Sequence, residues 1–117
     1  MPHKKALEML KKGNIDSFNK LVKERRKAGK SNVDLDDQDL SGLKLRETDL
    51  RKAHLNGANL RKADLKGANL AGARLRQADL RGCDLREADL RDADLRRAKL
   101  KGATLKKAKV KGARGLD

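Results

Sequence analysis

The sequence has little of what an ordinary globular core is built from. Its 117 residues include no tryptophan, no tyrosine and one phenylalanine, Phe18, while 41% of the residues are charged. A core of packed aromatic rings is therefore excluded, and the high charge taken alone would suggest a disordered chain. The order of the apolar residues argues against disorder, because they recur at fixed intervals along most of the sequence.

Other scarce residues narrow the class of protein. Cys83 is the only cysteine, so no intramolecular disulfide forms and we expect a reducing, cytoplasmic location. The start of the chain lacks the apolar core of a secretory signal, and no segment approaches the ~20 apolar residues of a membrane span. His3 and His54 are far apart in the sequence. We therefore expect no metal site. The lack of a long apolar segment indicates no membrane association, and a chain of small repeated units leaves no cavity for a cofactor.

Residues 3–28 have the pattern of two short helices. The stretch "KKALEMLKK" places its apolar residues on one face and stops at Gly13, and Asn14 is a suitable cap for a second helix. The second helix has one apolar stripe with spacings of three and four. We expect residues 1–32 to form an N-terminal α-helical cap with this stripe as its buried face. The stripe consists of Ile15, Phe18, Leu21 and Val22.

From Val33 the chain divides into five-residue units without a gap, such as "ADLRG" and "CDLRE". The third position of each unit is leucine from Leu35 to Leu105, and the first position is alanine from Ala53 onward, except at Cys83. A step of five residues turns a helical side chain by about 140° beyond a full turn, so a helix would scatter these leucines around its circumference. A straight strand would send alternate leucines to opposite faces.

Both difficulties disappear if the backbone bends after each triplet. The first and third side chains of a unit then point to a shared interior, and the last two positions form a turn. Glycine is frequent at the fifth position, as in Gly57 and Gly67, which suits the positive φ that a type II turn requires there. The predicted core is made of Leu55, Leu60, Leu65, Leu70, Leu75, Leu80, Leu85, Leu90, Leu95, Leu100, Ala63, Ala78 and Cys83.

The units resemble the A-[DN]-L-x-x signature of the pentapeptide repeat proteins, closely over residues 53–107 and loosely over 33–117. The resemblance implies a mainly β fold, a right-handed quadrilateral β-helix with four units per coil, so that residue n stacks on residue n+20. Residues 33–117 would then form about four coils and, with the helical cap, one structural domain. Family members often end in a dimerisation helix, which this sequence does not show. We expect a monomer, with an end-to-end dimer as the alternative.

The net charge of +14 is concentrated at the two ends. Residues 1–32 carry 10 basic and 3 acidic side chains, and residues 98–117 carry 7 and 1. Stacking by twenty places many of these cations in outward columns that become more basic toward the C-terminal end. Such columns suit surface ion pairs that keep the protein soluble, and they also suit a second interpretation, a polyanion-binding surface. Its candidate residues are Arg76, Arg96, Arg81, Lys101, Arg86, Lys106, Arg91 and Lys111.

Residues of catalytic type have no catalytic arrangement in this sequence. Cys83 takes an inward position, where a thiol is buried and inert, and aspartates recur in most units, which marks them as elements of the fold. We therefore predict that the chain is not an enzyme. The prediction is a non-catalytic β-solenoid that serves as a binding or scaffold module, with an acidic partner that the sequence does not identify.

Two alternatives remain open. The basic charge also suits sequence-nonspecific binding of nucleic acid, which would be salt-dependent and would lack aromatic stacking. The family resemblance further implies a DNA mimic that modulates gyrase, but mimicry needs an acidic rod. Residues 33–117 hold 21 basic and 14 acidic side chains, so their positive charge disfavours this second alternative.

Overall fold

A computed structural model describes residues 3–116 of the chain. Helix α1 spans Lys4–Lys11 and helix α2 spans Ile15–Lys27. Each helix is followed by a glycine in the left-handed region, Gly13 with φ 77° and Gly29 with φ 69°. These glycines allow the N–H groups just beyond each helix to turn back onto its last carbonyl groups, which ends the helix.

After the helices, the chain winds into a four-sided solenoid. Each side of a coil is held by a one-residue parallel bridge to the residue twenty positions later, such as Asp34 with His54 and His54 with Arg74. The remaining three sides have equivalent ladders, which start at Asp39, Lys44 and Asp49. The register of twenty residues therefore matches the expected four units per coil.

A turn closes each five-residue unit from residue 33 to residue 112. The N–H of Ala53 donates to the carbonyl of Leu50 at 3.1 Å, and the same bond recurs along the solenoid. The fifth residue has positive φ even where it is not glycine, as at Lys52 (φ 57°) and Glu87 (φ 61°). The corner therefore keeps the backbone sign of a type II turn whichever residue stands there. Glycine eases the bend, but it is not needed to produce it.

Backbone hydrogen bonds join each coil to the coils before and after it. In one unit, the N–H groups of Leu65 and Gly67 donate to the carbonyls of Asp84 and Arg86 in the next coil, at 2.8 and 2.9 Å. The N–H of Asp64 donates in the opposite direction, to the previous coil, at 2.9 Å. The polar backbone of an interior unit is thereby satisfied without long strands.

The aliphatic side chains fill the interior of the solenoid. The leucines from Leu55 to Leu95 are 0% exposed, as is Ala78, while Ala63 and Cys83 are 1% exposed. Leu100 differs from the expectation because it is only half-buried. It belongs to residues 97–116, which we call the terminal coil, and no further coil lies over this part of the structure.

The apolar stripe of α2 packs against the first coil and is continuous with the solenoid interior. Phe18 is 0% exposed and Val22 is 7% exposed, whereas Ile15 and Leu21 are half-buried beside them. The first coil thus has a covered face on the side of the helices. Of its larger inward residues, Val33 and Thr48 are buried, whereas Gln38 and Leu43 are half-buried.

Asn19 on α2 binds the backbone edge of the first coil. Its side-chain oxygen accepts from the N–H of Asp49 at 2.8 Å, and its side-chain nitrogen donates to the carbonyl of Glu47 at 3.2 Å. In later coils, the N–H at this position bonds to the coil below, as that of Asn69 does to Thr48 at 3.0 Å. The amide of Asn19 therefore takes the place of the absent coil at this side.

A pair of leucine truncations tests this packing. Leu65→Ala should lower the free energy of unfolding by about 2–5 kcal/mol, because it leaves a cavity in a filled interior. Leu105→Ala should cost about 1–2 kcal/mol, because that side chain is already half-exposed in the terminal coil. Urea unfolding followed by circular dichroism measures both losses, and equal losses would contradict the difference in packing.

Candidate binding surface

The second and fourth side chains of a unit point outward on either side of the inward leucine. Where these are Asp and Arg, the two side chains bind each other. Arg86 donates from Nε to Oδ1 of Asp84 at 2.9 Å and from Nη2 to Oδ2 at 2.7 Å. The same two-bond arrangement joins four further pairs: Arg51 with Asp49, Arg81 with Asp79, Arg91 with Asp89, and Arg96 with Asp94.

The aspartates of these pairs also hold the backbone. Oδ1 of Asp79 accepts from the N–H of Arg81 at 3.2 Å as well as from its guanidinium. The hydrogen bond from Arg81 lowers the pKa of Asp79 to about 2. For the same reason the Arg86 guanidinium holds the pKa of Asp84 well below its usual range. Both carboxylates are therefore ionised at neutral pH.

Some arginines also bind an aspartate of the next coil. Nε of Arg46 donates to Oδ2 of Asp64 at 2.6 Å, and Nε of Arg76 donates to Oδ2 of Asp94 at 2.9 Å. In both cases the acceptor lies eighteen residues later in the chain. Arg76, one of the predicted polyanion-binding residues, is thus balanced by a carboxylate as well.

The predicted polyanion-binding residues fall into two groups in the structure. The five arginines of the set each bind an aspartate, so much of their charge is neutralised locally. Lys101, Lys106 and Lys111 lie in the terminal coil, and within residues 3–116 none of them forms an ion pair. The positions that hold aspartate in the coil beneath are here Lys99, Thr104, Lys109 and Arg114. The surplus positive charge of the solenoid therefore lies on the terminal coil.

The terminal coil is also the part of the solenoid with exposed apolar side chains. Val110 is 42% exposed, whereas Leu90, twenty residues earlier, is 0% exposed. Leu100 and Leu105 are half-buried. Cations and uncovered apolar side chains thus occur together at this end.

One group of ligand-type side chains was missed by considering the histidines alone. His54 lies beside Asp34 and Asp36, with one potential ligand atom of each within 4.8 Å of the others. The stacking of residue n on n+20 could have revealed the approach of His54 to Asp34. Each carboxylate already accepts a backbone N–H, from Asp36 at 3.0 Å and from Asn56 at 2.8 Å. These bonds give both aspartates a role in holding the coil.

Cys83 is buried in the interior at the position that alanine takes in neighbouring units. Burial raises the pKa of its thiol to about 12. A thiol that stays protonated and inaccessible at neutral pH is a weak nucleophile. Its role in the structure is that of a small apolar side chain.

The pair formed by Asp79 and Arg81 leads to a pH-dependent prediction. The pKa of Asp79 is lowered in the folded protein, so its ionised form contributes stability above pH 4, and this contribution is lost as the pH falls from about 4 to about 2. Asp79→Asn keeps an acceptor for the N–H of Arg81, as Asn59 does for Arg61. The variant should lose up to about 1 kcal/mol at pH 7, since the pair is solvent-exposed.

The difference between Asp79→Asn and the parent chain should therefore shrink as the pH is lowered from 4 to 2. Urea unfolding at a series of pH values measures it. Gln77→Asn, which changes no titratable group, serves as the control for general effects of acid. A difference that stays constant down to pH 2 would show that the charge of Asp79 contributes nothing to stability.

Neither of the two described helices is long and apolar enough to cross a membrane. A search of curated proteins gives no match to this chain. The family described as Pentapeptide repeats matches in eight copies, over residues 31–67 and 68–107. The match covers more than half of the sequence.

Solved structures of the same family are similar to this chain. One is HetL, a pentapeptide repeat protein involved in heterocyst differentiation regulation from the cyanobacterium Nostoc sp. strain PCC 7120. It is 43% identical with a TM-score of 0.70, over 73% of this chain and 39% of HetL. Another is alr5209, a pentapeptide repeat protein from Nostoc PCC 7120, at 36% identity and TM-score 0.47, over 83% of this chain and 86% of that one.

The plasmid-mediated fluoroquinolone resistance protein QnrB1 is more distant. It is 17% identical with a TM-score of 0.36, over 70% of this chain and 62% of QnrB1. This chain spans about two fifths of the length of HetL. The repeat match and the similarity to HetL agree with the observed coils, each of which has four sides of five residues. In pentapeptide repeat proteins, such coils form a right-handed quadrilateral β-helix. The chain belongs to the pentapeptide repeat family.

Proposed function

We propose that this protein is a non-catalytic binding or scaffold module that holds an acidic protein partner against its terminal coil. One observation carries the proposal: in the preceding coils, each arginine that directly follows an inward leucine binds an aspartate, whereas Lys101, Lys106 and Lys111 at the same place have no ion pair in the described part of the chain. Cations without carboxylate partners attract acidic surfaces and speed their association.

The structural roles of the cysteine and of the aspartates support a non-catalytic function. Cys83 packs in the interior, and the aspartates that recur along the solenoid bind arginines and backbone N–H groups. The leucines and alanines fill the space between the four sides. Each of these residues has a structural role that accounts for its place in the repeat.

The proposed form of the protein is a single-domain monomer. Helices α1 and α2 cap one end of the solenoid and form one structural domain with it, which leaves the terminal coil for the partner. The protein acts as a monomer in a reducing compartment such as the cytoplasm. The single buried cysteine and the like charge of two terminal coils support this assignment.

Nucleic acid is a less suitable partner than an acidic protein. Eight arginines of the solenoid bind aspartates, and the ring of Phe18 is buried between α2 and the first coil. Base stacking, on which binding of single strands depends, is therefore not available. A DNA mimic for gyrase needs negative charge, whereas residues 33–117 have more basic than acidic side chains.

Charge reversal on the terminal coil tests the proposed surface. The triple variant Lys101→Glu, Lys106→Glu and Lys111→Glu should weaken binding of poly-glutamate by about tenfold or more, from the loss of three attractive contacts. The matched control reverses Lys44, Lys52 and Lys62, which lie in earlier coils. Lys44 is exposed, and Lys52 and Lys62 are at the corner position that glutamate takes with positive φ at Glu47 and Glu87, so the control suits the backbone.

Both variants lower the net charge from +14 to +8, since each of the three changes removes two units. The control should weaken binding by less than about threefold, because its sites are exposed and distant from the terminal coil. Fluorescence anisotropy across a salt series measures both. Equal losses in the two variants would mean that total charge, and not the terminal coil, controls binding. Tighter binding of random-sequence DNA than of poly-glutamate would favour the nucleic-acid alternative.

A further inference from the structure

The terminal coil has a free backbone edge. In the coil beneath it, the N–H groups of Leu80 and Gly82 donate to the carbonyls of Lys99 and Lys101, at 2.8 and 3.0 Å. The equivalent groups of the terminal coil, among the described residues, have no acceptor. They are the N–H groups of Leu100, Gly102, Leu105, Lys107, Val110 and Gly112. An edge of this kind is a template for pairing with another extended chain.

A second set of backbone N–H groups in the terminal coil lacks the aspartate side chains that accept their hydrogen bonds in the coil beneath. In the coil beneath, Asp79, Asp84 and Asp89 each accept from the N–H two residues later, at 3.1 to 3.2 Å. In the terminal coil the corresponding positions hold two lysines and a threonine. The N–H groups of Lys101, Lys106 and Lys111 therefore have no side-chain acceptor within residues 3–116.

The arginines of earlier coils show where a carboxylate of an added coil would lie. Arg46 and Arg76 each bind an aspartate eighteen residues later, one coil above them. Carboxylates at the outward positions of a chain added to the free edge would stand in the same relation to Lys101, Lys106 and Lys111. The edge therefore has positions for acidic side chains as well as for backbone carbonyls.

A second copy of this chain does not fit the edge. Two terminal coils placed end to end would bring their lysine and arginine side chains together, and residues 98–117 carry 7 basic side chains against 1 acidic one. The other end of a second copy is covered by α1 and α2. Charge complementarity thus selects an acidic chain.

We propose that the terminal coil binds an acidic, extended segment of a partner protein by strand addition, as a further coil of the solenoid. This inference rests on the proposed function and names its binding mode. The segment places small apolar and leucine side chains over Leu100, Leu105 and Val110, and carboxylates at its outward positions. Because each side of the coil is short, the segment turns after every triplet, and a straight strand would cover one side only.

Two peptides separate strand addition from simple charge attraction. The register peptide has four repeats of Ala-Glu-Leu-Glu-Gly, one for each side of the coil. The permuted peptide has the same composition, but its leucines and glutamates no longer alternate. Strand addition predicts that the register peptide binds at least about tenfold tighter, since several hydrogen bonds and three apolar contacts depend on the alternation.

Val110→Pro tests the backbone edge itself. Proline removes an N–H that has no acceptor in the described structure, so folding measured by circular dichroism should be retained. Binding of the register peptide should weaken about threefold to tenfold, as expected for one lost hydrogen bond and local blocking. Binding of the permuted peptide should stay the same.

In the parent chain, the register peptide should shift the amide NMR signals of Leu100 and Leu105.

The outcomes distinguish the two proposals. Equal binding of both peptides, with unchanged signals for Leu100 and Leu105, would overturn strand addition while leaving the acidic partner of the proposed function in place. Binding of neither peptide, together with no binding of poly-glutamate, would overturn both. If Val110→Pro does not fold, the comparison of the two peptides still decides the question.

Discussion

The whole structure depends on a backbone bend that recurs every five residues. At each corner the carbonyl of the inward leucine accepts the N–H of the next unit's first residue, and the residue before that has positive φ. Nine residues other than glycine adopt this conformation, at a cost of about 1–2 kcal/mol each relative to ordinary backbone. Burial of one leucine contributes about 1.5–3 kcal/mol, so each corner can be sustained by the side chain that it turns inward.

The same bend determines the chemistry of the surface. Because the leucine points inward, the residues before and after it point outward as near neighbours, and Asp and Arg at these places bind each other. The surface of the middle coils is therefore rich in charge but largely balanced. The terminal coil, with Lys99 and Lys109 where aspartates stand beneath, lacks this balance. A scaffold of regular coils thus acquires one end that differs from the rest in charge, in apolar exposure and in free backbone groups.

Much of the fold could be predicted from the sequence because the repeat is regular. Leucine at every fifth position is incompatible with a helix and with a straight strand, and the bend at the fourth and fifth positions follows from that. The repeat predicts Leu100 to be as buried as the earlier leucines because its unit has the same pattern, but burial also needs a coil on each side, and residues 97–116 have one on one side only. The positive φ that the turn requires at the fifth position occurs at Glu87 as well, where it comes from the stacked coils and not from the preference of glutamate.

The candidate surface was predicted less well than the fold. The predicted columns of basic residues group side chains that are twenty residues apart, in successive coils. This grouping leaves out the aspartate that lies two residues before an arginine in the same unit. Arg86 therefore looked available, although Asp84 binds it through two hydrogen bonds. The opposite holds for His54 and Asp34. Their proximity follows from the stacking of residue n on n+20, whereas a comparison of the two histidines alone does not reveal it.

Amide hydrogen exchange followed by NMR tests the central claim, the repeated bend with inward leucines, most directly. The N–H groups of Leu55, Leu75 and Leu90 each bond to a carbonyl of the next coil, so the account predicts that they exchange slowly. Those of Leu100 and Leu105, on the free edge, should exchange much faster. Rapid exchange at Leu55, Leu75 and Leu90 under native conditions would contradict a solenoid held together in this way.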